Sequence, residues 1–362
     1  MSLRFVFASA LLLLGCEPVL SAQTLKLVPL PPDVQTGPAL AGVQTKEGRI
    51  FAAPVTGGLL RLTADAGAWD VLPAPVLQRF LPDFKEGLSL ALGENDTGLF
   101  RASGDHFVGF TPAVPALSDP SFSVVGWNGL IGRDATDVLW ASAAPTLGTS
   151  VFLAHLDPGA SDWSYDEVPV ALLPRQAVPA ERPVMTSDAR FFYRPAMAGL
   201  WELDLANHAL VERVACDHPL FRASRTNTTP CQDNTLVFAG RGGQLFLFTP
   251  NHELWRLDAH GTTPSLVVKG DLPKLEVVVD RNPAEPHAWV DPKNRVWLSF
   301  RWGTNVDSDT SWLYVAEPGK HDSWTFLKGD LPRSVLLFGD GPTPLISSAS
   351  QNTGLLLFRI AE

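Results

Sequence analysis

Short apolar runs separated by turn residues recur along most of this chain. The clearest series comprises four runs in order: Ala288–Val290, Arg295–Phe300, Trp312–Ala316 and Trp324–Lys328. Turn residues separate them, as in Asp291-Pro292-Lys293-Asn294 and Pro318-Gly319-Lys320. Runs of this length that are rich in Val, Trp, Phe and Leu predict β-strands joined by hairpins. Four of them in succession predict one small antiparallel sheet.

This four-strand unit recurs about seven times, at a spacing of roughly 40–60 residues, which is the period of β-propeller blades. The predicted blades cover residues 40–75, 86–115, 122–174, 183–217, 230–273, 286–332 and 334–362. No helical periodicity of useful length competes with this pattern. The sequence therefore predicts an all-β, seven-bladed β-propeller that forms one domain over residues 23–362. A pair of β-sandwiches is the alternative.

The two ends of the domain are each incomplete. The last unit has no fourth strand after Phe358-Arg359-Ile360, and the apolar segment Leu25–Leu30 belongs to no unit of its own. Because unpaired strand edges favour association with other chains, pairing of these two segments would remove both edges. We therefore expect the N-terminal strand to close the ring as the outer strand of the last blade.

Two phrases recur within the units, D-x-x-N/G-x-V/L-W and G-L-W-R-L. The best example of the first is Asp291-Pro292-Lys293-Asn294-Arg295-Val296-Trp297. These phrases resemble the propeller repeats of two-component regulators, which occur in the periplasmic sensor regions of bacterial hybrid kinases. The resemblance implies a propeller fold. Neither a transmembrane helix nor a kinase segment accompanies the repeats in this sequence, so we do not expect signalling from it.

Composition narrows the classes of function. Apolar residues make up 45% of the 362 residues and charged residues 18%, which is enough for a sizeable core. The formal net charge is −10, which argues against nucleic acid as a partner because phosphates require a basic face.

The first 22 residues have the features of an export signal with a short tether. Arg4 precedes the apolar run Phe5–Leu14, which is too short to span a bilayer. Leu13-Leu14-Gly15-Cys16 follows and resembles the bacterial lipobox, in which the cysteine becomes the lipidated first residue. We therefore expect lipidation of Cys16 and anchoring in the cell envelope. The alternative is ordinary cleavage after Ala22, which would leave a secreted or periplasmic soluble protein.

Only two further cysteines exist, Cys216 and Cys231. In an oxidising compartment a disulfide between them is expected. Two unpaired thiols are the alternative, and nothing like CxxC supports a zinc site.

Candidate binding residues lie in loops that the repeat predicts to be enlarged, namely Ala143–Ser150, Gly240–Asn251 and Arg301–Ser311. The last contains Arg301, Trp302, Asp307 and Asp309. Trp302 beside Arg301 suits a sugar ring or a carboxylated ligand, by stacking and bidentate hydrogen bonding. Asp307 and Asp309 could hold calcium, although two carboxylates are few for that ion. The alternative is a solvated hairpin whose tryptophan covers a blade edge.

Arginines also occur in the predicted connections between blades, where they could form an anion-binding face or a solvated surface: Arg79, Arg175, Arg182, Arg222, Arg225, Arg281 and Arg333. No catalytic residue or metal ligand is predicted, because the histidines follow no metal-binding spacing and the GxSxG elbow is missing. These features favour a lipid-anchored module that binds a glycan or an envelope protein. A propeller hydrolase or lyase acting on a carbohydrate or lactone, and a scaffold subunit, are the alternatives.

Overall fold

The protein is described by a computed structural model. It describes residues 24–28, 39–44, 50–54, 59–62, 69–72, 77–81, 90–93, 99–103, 106–109, 124–145, 150–169, 183–194, 198–222, 231, 235–270, 272–273, 284–302, 310–332, 335–338, 345–350 and 354–361.

Within these residues the strands pair into seven four-stranded antiparallel sheets, numbered here in chain order. Sheet 1 contains β2 (Ala39–Gln44), β3 (Ile50–Pro54), β4 (Leu59–Leu62) and β5 (Trp69–Leu72). Sheet 2 contains β6 (Leu77–Leu81), β7 (Leu90–Gly93), β8 (Leu99–Ser103) and β9 (His106–Gly109). Sheet 3 contains β10 (Val124–Arg133), β11 (Leu139–Pro145), β12 (Ser150–Leu156) and β13 (Ser164–Pro169).

Sheet 4 contains β14 (Val184–Met185), β15 (Phe191–Tyr193), β16 (Leu200–Asp204) and β17 (Ala209–Val214). Sheet 5 contains β18 (Leu236–Ala239), β19 (Leu245–Phe248), β20 (Leu254–Leu257) and β21 (Ser265–Val268). Sheet 6 contains β22 (Ala284–Val290), β23 (Val296–Trp302), β24 (Thr310–Ala316) and β25 (Thr325–Pro332). Sheet 7 contains β26 (Val335–Phe338), β27 (Leu345–Ser350), β28 (Gly354–Ala361) and β1 (Thr24–Val28).

The sheets follow one another around a common centre, because the first strand of each sheet contacts the first strand of the next, and β26 contacts β2. This arrangement is an all-β β-propeller, as the repeat predicts.

The predicted count of seven blades is corrected to five. Among the residues whose burial is described, the side chains buried in a blade belong to five sheets, namely sheets 1, 3, 4, 5 and 6. Sheet 2 and sheet 7 are described by strand pairing alone.

The predicted strand positions are also corrected in two sheets. The second predicted unit begins at residue 86, whereas sheet 2 already begins with β6 at Leu77. In sheet 5 the predicted loop Gly240–Asn251 contains the whole of β19, and Leu236–Ala239 forms the first strand.

The expected pairing of the two chain ends is confirmed. Strand β1 pairs antiparallel with β28, with Leu25 opposite Ile360 and Val28 opposite Leu357. It thereby becomes the fourth and outermost strand of sheet 7.

The most extensive described core lies between sheets 5 and 6. It includes Phe246, Leu298 and Tyr314, all 0% exposed. Trp324 packs edge-to-face on Phe248, with ring centroids 5.7 Å apart, and its Nε1 donates to the His252 carbonyl at 2.9 Å. Because each large apolar side chain contributes about 1.5–3 kcal/mol when buried, this interface fixes the two sheets relative to each other.

Two turns between first and second strands are built on a buried aspartate. Asp291 accepts hydrogen bonds from the backbone N–H groups of Lys293 at 2.9 Å and Arg295 at 2.8 Å. Its other oxygen accepts from Arg295 Nε at 2.5 Å and Trp297 Nε1 at 3.1 Å. Asn294 adopts the left-handed conformation, with φ 61°, that closes the turn. The D-x-x-N/G-x-V/L-W phrase is therefore a turn whose carboxylate holds the tryptophan six residues later.

Asp134 repeats this arrangement in sheet 3. It accepts from Thr136 N at 2.8 Å, Val138 N at 3.1 Å and Trp140 Nε1 at 2.9 Å. Burial by itself would raise the pKa of Asp134, but the hydrogen bonds from Trp140, Thr136 and Val138 together hold the pKa below its usual value.

Candidate binding site

The strands of each sheet begin and end along two opposite borders, and these borders differ in the chain connections that lie there. Because consecutive strands are antiparallel, the connection between the second and third strands lies at the same edge as the connections between sheets. We call this the loop edge; among the described residues of sheet 4 it carries residues 194, 198–199 and 215–222. The opposite edge, which we call the turn edge, joins the first strand to the second and the third to the fourth. In sheet 4 it carries residues 186–190 and 205–208.

Two of the predicted binding residues of sheet 6 lie at its loop edge, but not in a loop. Arg301 and Trp302 are the last two residues of β23, where they pair with Ser311 and Thr310 of β24. Asp307 and Asp309 lie outside the described residues, as do the side chains of Arg301 and Trp302.

The other predicted enlarged loops are shorter than expected. Ala143 lies within β11, which continues to Pro145, and Ser150 begins β12. The connection between β19 and β20 comprises residues 249–253.

The best-described part of the loop edge lies where sheet 4 joins sheet 5. The predicted disulfide is present there, between Cys216 and Cys231, with a Cα–Cα distance of 5.4 Å. Cys231 is 3% exposed, and its backbone N–H donates to the Phe221 carbonyl at 3.2 Å. The disulfide therefore joins Cys216, where the connection from sheet 4 to sheet 5 begins, to the buried residue Cys231 later in the same connection.

A short 3₁₀ helix, Pro219–Phe221, follows the first cysteine. His218 caps it, because its Nδ1 accepts from Leu220 N at 3.1 Å. Leu220 and Phe221 are both 0% exposed, so the helix inserts into the core rather than lying on the surface.

Arg194, which directly follows β15, packs on this helix. Its guanidinium lies 4.8 Å from the centre of the Phe221 ring, and its Nη2 donates to the Cys231 carbonyl at 3.2 Å. At 9% exposure it holds the disulfide-closed connection against sheet 4.

A second arginine, Arg222, is exposed and held by a buried carboxylate. Its side chain is 58% exposed, and its Nη2 forms an ion pair with Oε1 of Glu253, which is buried at the connection between β19 and β20. The other oxygen of Glu253 accepts from Trp255 Nε1 at 3.2 Å. One carboxylate thus orients both a cation and an aromatic ring.

His218 extends this group. Its ring meets the Trp255 ring edge-on, with centroids 5.6 Å apart. Burial lowers the pKa of His218, and the charge of Asp217 partly offsets this, so the ring is neutral at neutral pH. We call this group the clamped edge: Arg194, His218, Arg222, Glu253 and Trp255, together with the disulfide. Chemically it offers an exposed guanidinium beside an aromatic ring, a combination that suits a carboxylate attached to an apolar or sugar ring.

A second ionic group, in sheet 4, has a different character. Glu202 is 7% exposed and accepts from Arg190 Nε at 2.8 Å and Arg213 Nε at 2.5 Å. Burial opposes its charge, but these two arginines hold the pKa of Glu202 below its usual value. Because the carboxylate is enclosed by cations within one sheet, the group stabilises the fold and offers no acid or base.

Within the described residues, no group of three or more His, Cys, Asp or Glu side chains is arranged to hold a metal ion. Among the same residues, no helix is long and apolar enough to cross a membrane.

The sequence pointed to only part of the clamped edge. Arg222 was among the arginines predicted between blades, and the disulfide was predicted from the cysteine count. Glu253 was missed as its partner. The available signal was Thr249, which precedes Trp255 by six residues, as Asp134 precedes Trp140. Glu253 N donates to Thr249 Oγ1 at 3.3 Å, so this turn is built like the aspartate turns.

No family model matches this chain, and no curated protein matches it. Several solved structures match the fold of this chain. One described as a streptogramin B lyase is 12% identical, with a TM-score of 0.59 over 94% of this chain and 98% of that one. YCF48 from Cyanidioschyzon merolae is 11% identical, with a TM-score of 0.52 over 92% of this chain and 98% of that one. The WD40 β-propeller domain of Doa1 is 10% identical, with a TM-score of 0.53 over 92% and 97%. At such identities the similarity concerns the fold alone, and that fold is a β-propeller.

Proposed function

We propose that this chain is an exported, lipid-anchored β-propeller that binds a glycan or another protein of the cell envelope at its loop edge. The observation that carries the proposal is the clamped edge, where an exposed guanidinium is fixed beside an aromatic ring by a buried carboxylate. Fixing a long side chain in advance reduces the entropy lost when a ligand binds.

The ligand chemistry follows from the groups at this edge. Arg222 forms charge-assisted hydrogen bonds with a carboxylate, and Trp255 and His218 offer ring surface beside it. A carboxylated sugar, or an acidic side chain of an envelope protein, presents the matching groups.

The test is binding of uronic-acid-containing oligosaccharides and of their neutral counterparts to the parent and to Arg222→Ala and Arg222→Lys. Loss of one hydrogen bond to a charged group should weaken binding of the acidic ligands about 10–100-fold, and binding of the neutral ones much less. Lys320→Ala is the matched control, because Lys320 is an exposed cation in an ion pair at the turn edge. Equal binding by the parent and both Arg222 variants, with unchanged thermal melts, would place the site elsewhere.

Arg301 and Trp302 remain proposed contributors at the same edge, with Asp307 and Asp309 beyond them in the connection. Trp302→Ala belongs in the same assay. A stacking aromatic contributes about 0.5–1.5 kcal/mol beyond its buried area, which is roughly a 2–10-fold loss of affinity. A sharp fall in melting temperature without loss of binding would instead identify Trp302 as a packing residue.

The anchor is proposed from Leu13-Leu14-Gly15-Cys16. Cys16→Ser should release the protein from membranes or block its processing. A mature N-terminus at Gln23, found by mass spectrometry, would contradict the anchor and support a soluble exported protein.

The similarity to the lyase brings no activity to this chain, because it concerns the fold alone.

A further inference from the structure

We infer that His218 makes ligand binding at the clamped edge sensitive to acid, because its neutral ring keeps Arg222 in place and protonation of Nδ1 releases that arginine. The inference rests on the proposed function, since it concerns regulation of the same site. It makes His218 a positioning residue, which acts on the ligand through Arg222. The ligand is therefore expected to bind at neutral pH and to leave when the surroundings become acid.

The first step is the hydrogen bond between the His218 ring and the 3₁₀ helix that follows it. Leu220 N donates to His218 Nδ1 at 3.1 Å, so Nδ1 carries no proton and the neutral ring has its proton on Nε2. Because Leu220 is 0% exposed, water cannot replace this acceptor unless the helix moves. Protonation of Nδ1 therefore sets two N–H donors against each other.

The second step links this helix to the exposed arginine. Phe221 N donates to the His218 carbonyl at 2.9 Å, which closes the turn around the capped amide. Arg222 N donates to the Pro219 carbonyl at 3.2 Å, so Arg222 is the residue that ends the helix. The ion pair of its guanidinium with Glu253 depends on where the helix ends. Opening the helix at its first residue therefore moves the cation at its last.

The third step is the charge that surrounds the ring. Burial lowers the pKa of His218, and the charge of Asp217 partly offsets this. On the packed side the ring meets the uncharged Trp255, with centroids 5.6 Å apart. The Glu253 carboxylate beyond it already accepts from Trp255 and Arg222. Among the described residues no carboxylate forms an ion pair with the ring, so none holds the protonated ring in its present place.

Two other histidines of sheet 5 serve to identify the group that takes up the proton. His252 precedes Glu253 in the chain, and its ring stacks on Phe248, with centroids 6.2 Å apart. His260 is exposed in the turn between β20 and β21 and adopts the left-handed conformation, with φ 61°. Asparagine tolerates that conformation. His260→Asn is therefore a matched control for His218→Asn.

The test measures the affinity for a uronic-acid-containing oligosaccharide between about pH 8 and about pH 5, a range in which histidine titrates and carboxylates stay mostly ionised. The proteins compared are the parent, His218→Asn, His218→Ala and His260→Asn. Asparagine keeps an acceptor oxygen at the cap and does not titrate, whereas alanine has no acceptor. Thermal melts at each pH show that every variant is folded.

We expect the parent to bind about 2–30-fold more weakly at the acid end, which is the range that loss of an N-cap acceptor spans. The loss should set in only below the ordinary histidine pKa of about 6.5, because burial lowers the pKa of His218. His218→Ala should bind weakly throughout the range. His218→Asn should bind like the parent at neutral pH and keep that affinity in acid, and His260→Asn should behave like the parent.

Three results overturn the inference. The first is an acid-dependent loss that persists in His218→Asn, which would assign the effect to another group, such as His252. The second is a parent whose affinity does not change with pH. The third is a His218→Ala variant that binds as tightly as the parent at neutral pH. A parent that binds no oligosaccharide even at neutral pH contradicts the proposed function, and the inference with it, so the two failures are distinguishable.

Discussion

The buried aspartate at the turn between β22 and β23 allows one prediction to be worked through from the structure. Asp291 is 0% exposed and accepts four hydrogen bonds, from two backbone N–H groups, from Arg295 and from Trp297. Asp291→Ala removes both acceptor oxygens and therefore all four hydrogen bonds at once. Arg295, whose side chain is 9% exposed, then loses its ion pair with Asp291.

The expected loss is large. Removing one partner of a buried ion pair costs on the order of 3–5 kcal/mol. An unfolding entropy of about 2.1 cal/mol/K per residue, summed over about 340 residues, gives roughly 0.7 kcal/mol/K. If the propeller unfolds as one unit, the melting temperature should therefore fall by about 4–7 °C. Asp291→Asn should be nearly as damaging, because its amide N–H groups would meet donors from Arg295 and Trp297.

The measurement is thermal and urea unfolding of the parent, of both Asp291 variants and of Asp70→Ala. Asp70 is the matched control because it forms an exposed ion pair with Arg61, at 2.9 Å, which contributes about 0–1 kcal/mol. If Asp291→Ala lowers the midpoint no more than Asp70→Ala does, the carboxylate does not hold this turn together and the reasoning fails.

Three further predictions concern stability. Replacing Cys216 and Cys231 by serine should cost about 3 kcal/mol, the chain-entropy value for a loop of 15 residues, seen as a lower urea midpoint; an unchanged midpoint would contradict it. Deleting residues 24–28 should lower the melting temperature of the whole fold, because β28 loses its outer partner and becomes an unpaired edge strand; fraying confined to sheet 7 would count against this. Because the pKa of Glu202 is lower in the folded than in the unfolded protein, its charge stabilises the fold at pH values above the unfolded pKa of about 4.3. This stabilisation is lost as the pH falls through the lower pKa of the folded state. Glu202→Gln should therefore make the free energy of unfolding less dependent on pH at acid pH.

The parts of the fold that follow from local residue patterns could be predicted. The Asp291–Trp297 phrase marks a turn because its partners are at most six residues apart. The ring closure needed only a count of strands at the two ends of the chain. The disulfide needed only a cysteine pair and the expectation of an oxidising compartment.

Strand β19 could not be recognised from its pattern. All four of its residues, Leu245–Phe248, are buried, so the alternation that marks a half-exposed strand is missing. The tight turn before it, with φ values of 60° at Gly242 and 78° at Gly243, resembled the start of a long loop. Trp302 was predicted to lie in a loop for a related reason. Strand β23 extends to Trp302 because this residue pairs with Thr310 of β24. The residues around Trp302 in the sequence do not reveal where a strand ends when its partner strand determines that end.

The clamped edge could not be predicted as a unit. Arg194 meets Cys231 across 37 residues, and Arg222 meets Glu253 across 31. These contacts arise because two sheets pack side by side, and neither the spacing nor the residue types of the sequence encode that neighbourhood.

The pairing of β1 with β28 also constrains the order in which the protein can mature. Strand β1 lies near residue 24 and its partner β28 near residue 354, so β1 is synthesised long before its partner exists. Until then β1 has no partner strand, whereas β28 can pair with the adjacent β27 at once and gains β1 on its other side only when the distant N-terminal segment is brought to it. Contacts between such distant segments form slowly, and waiting strands are prone to misassembly. Completion of the ring therefore waits for synthesis of β28, and a chaperone that shields β1 during this interval would raise the yield of folded protein.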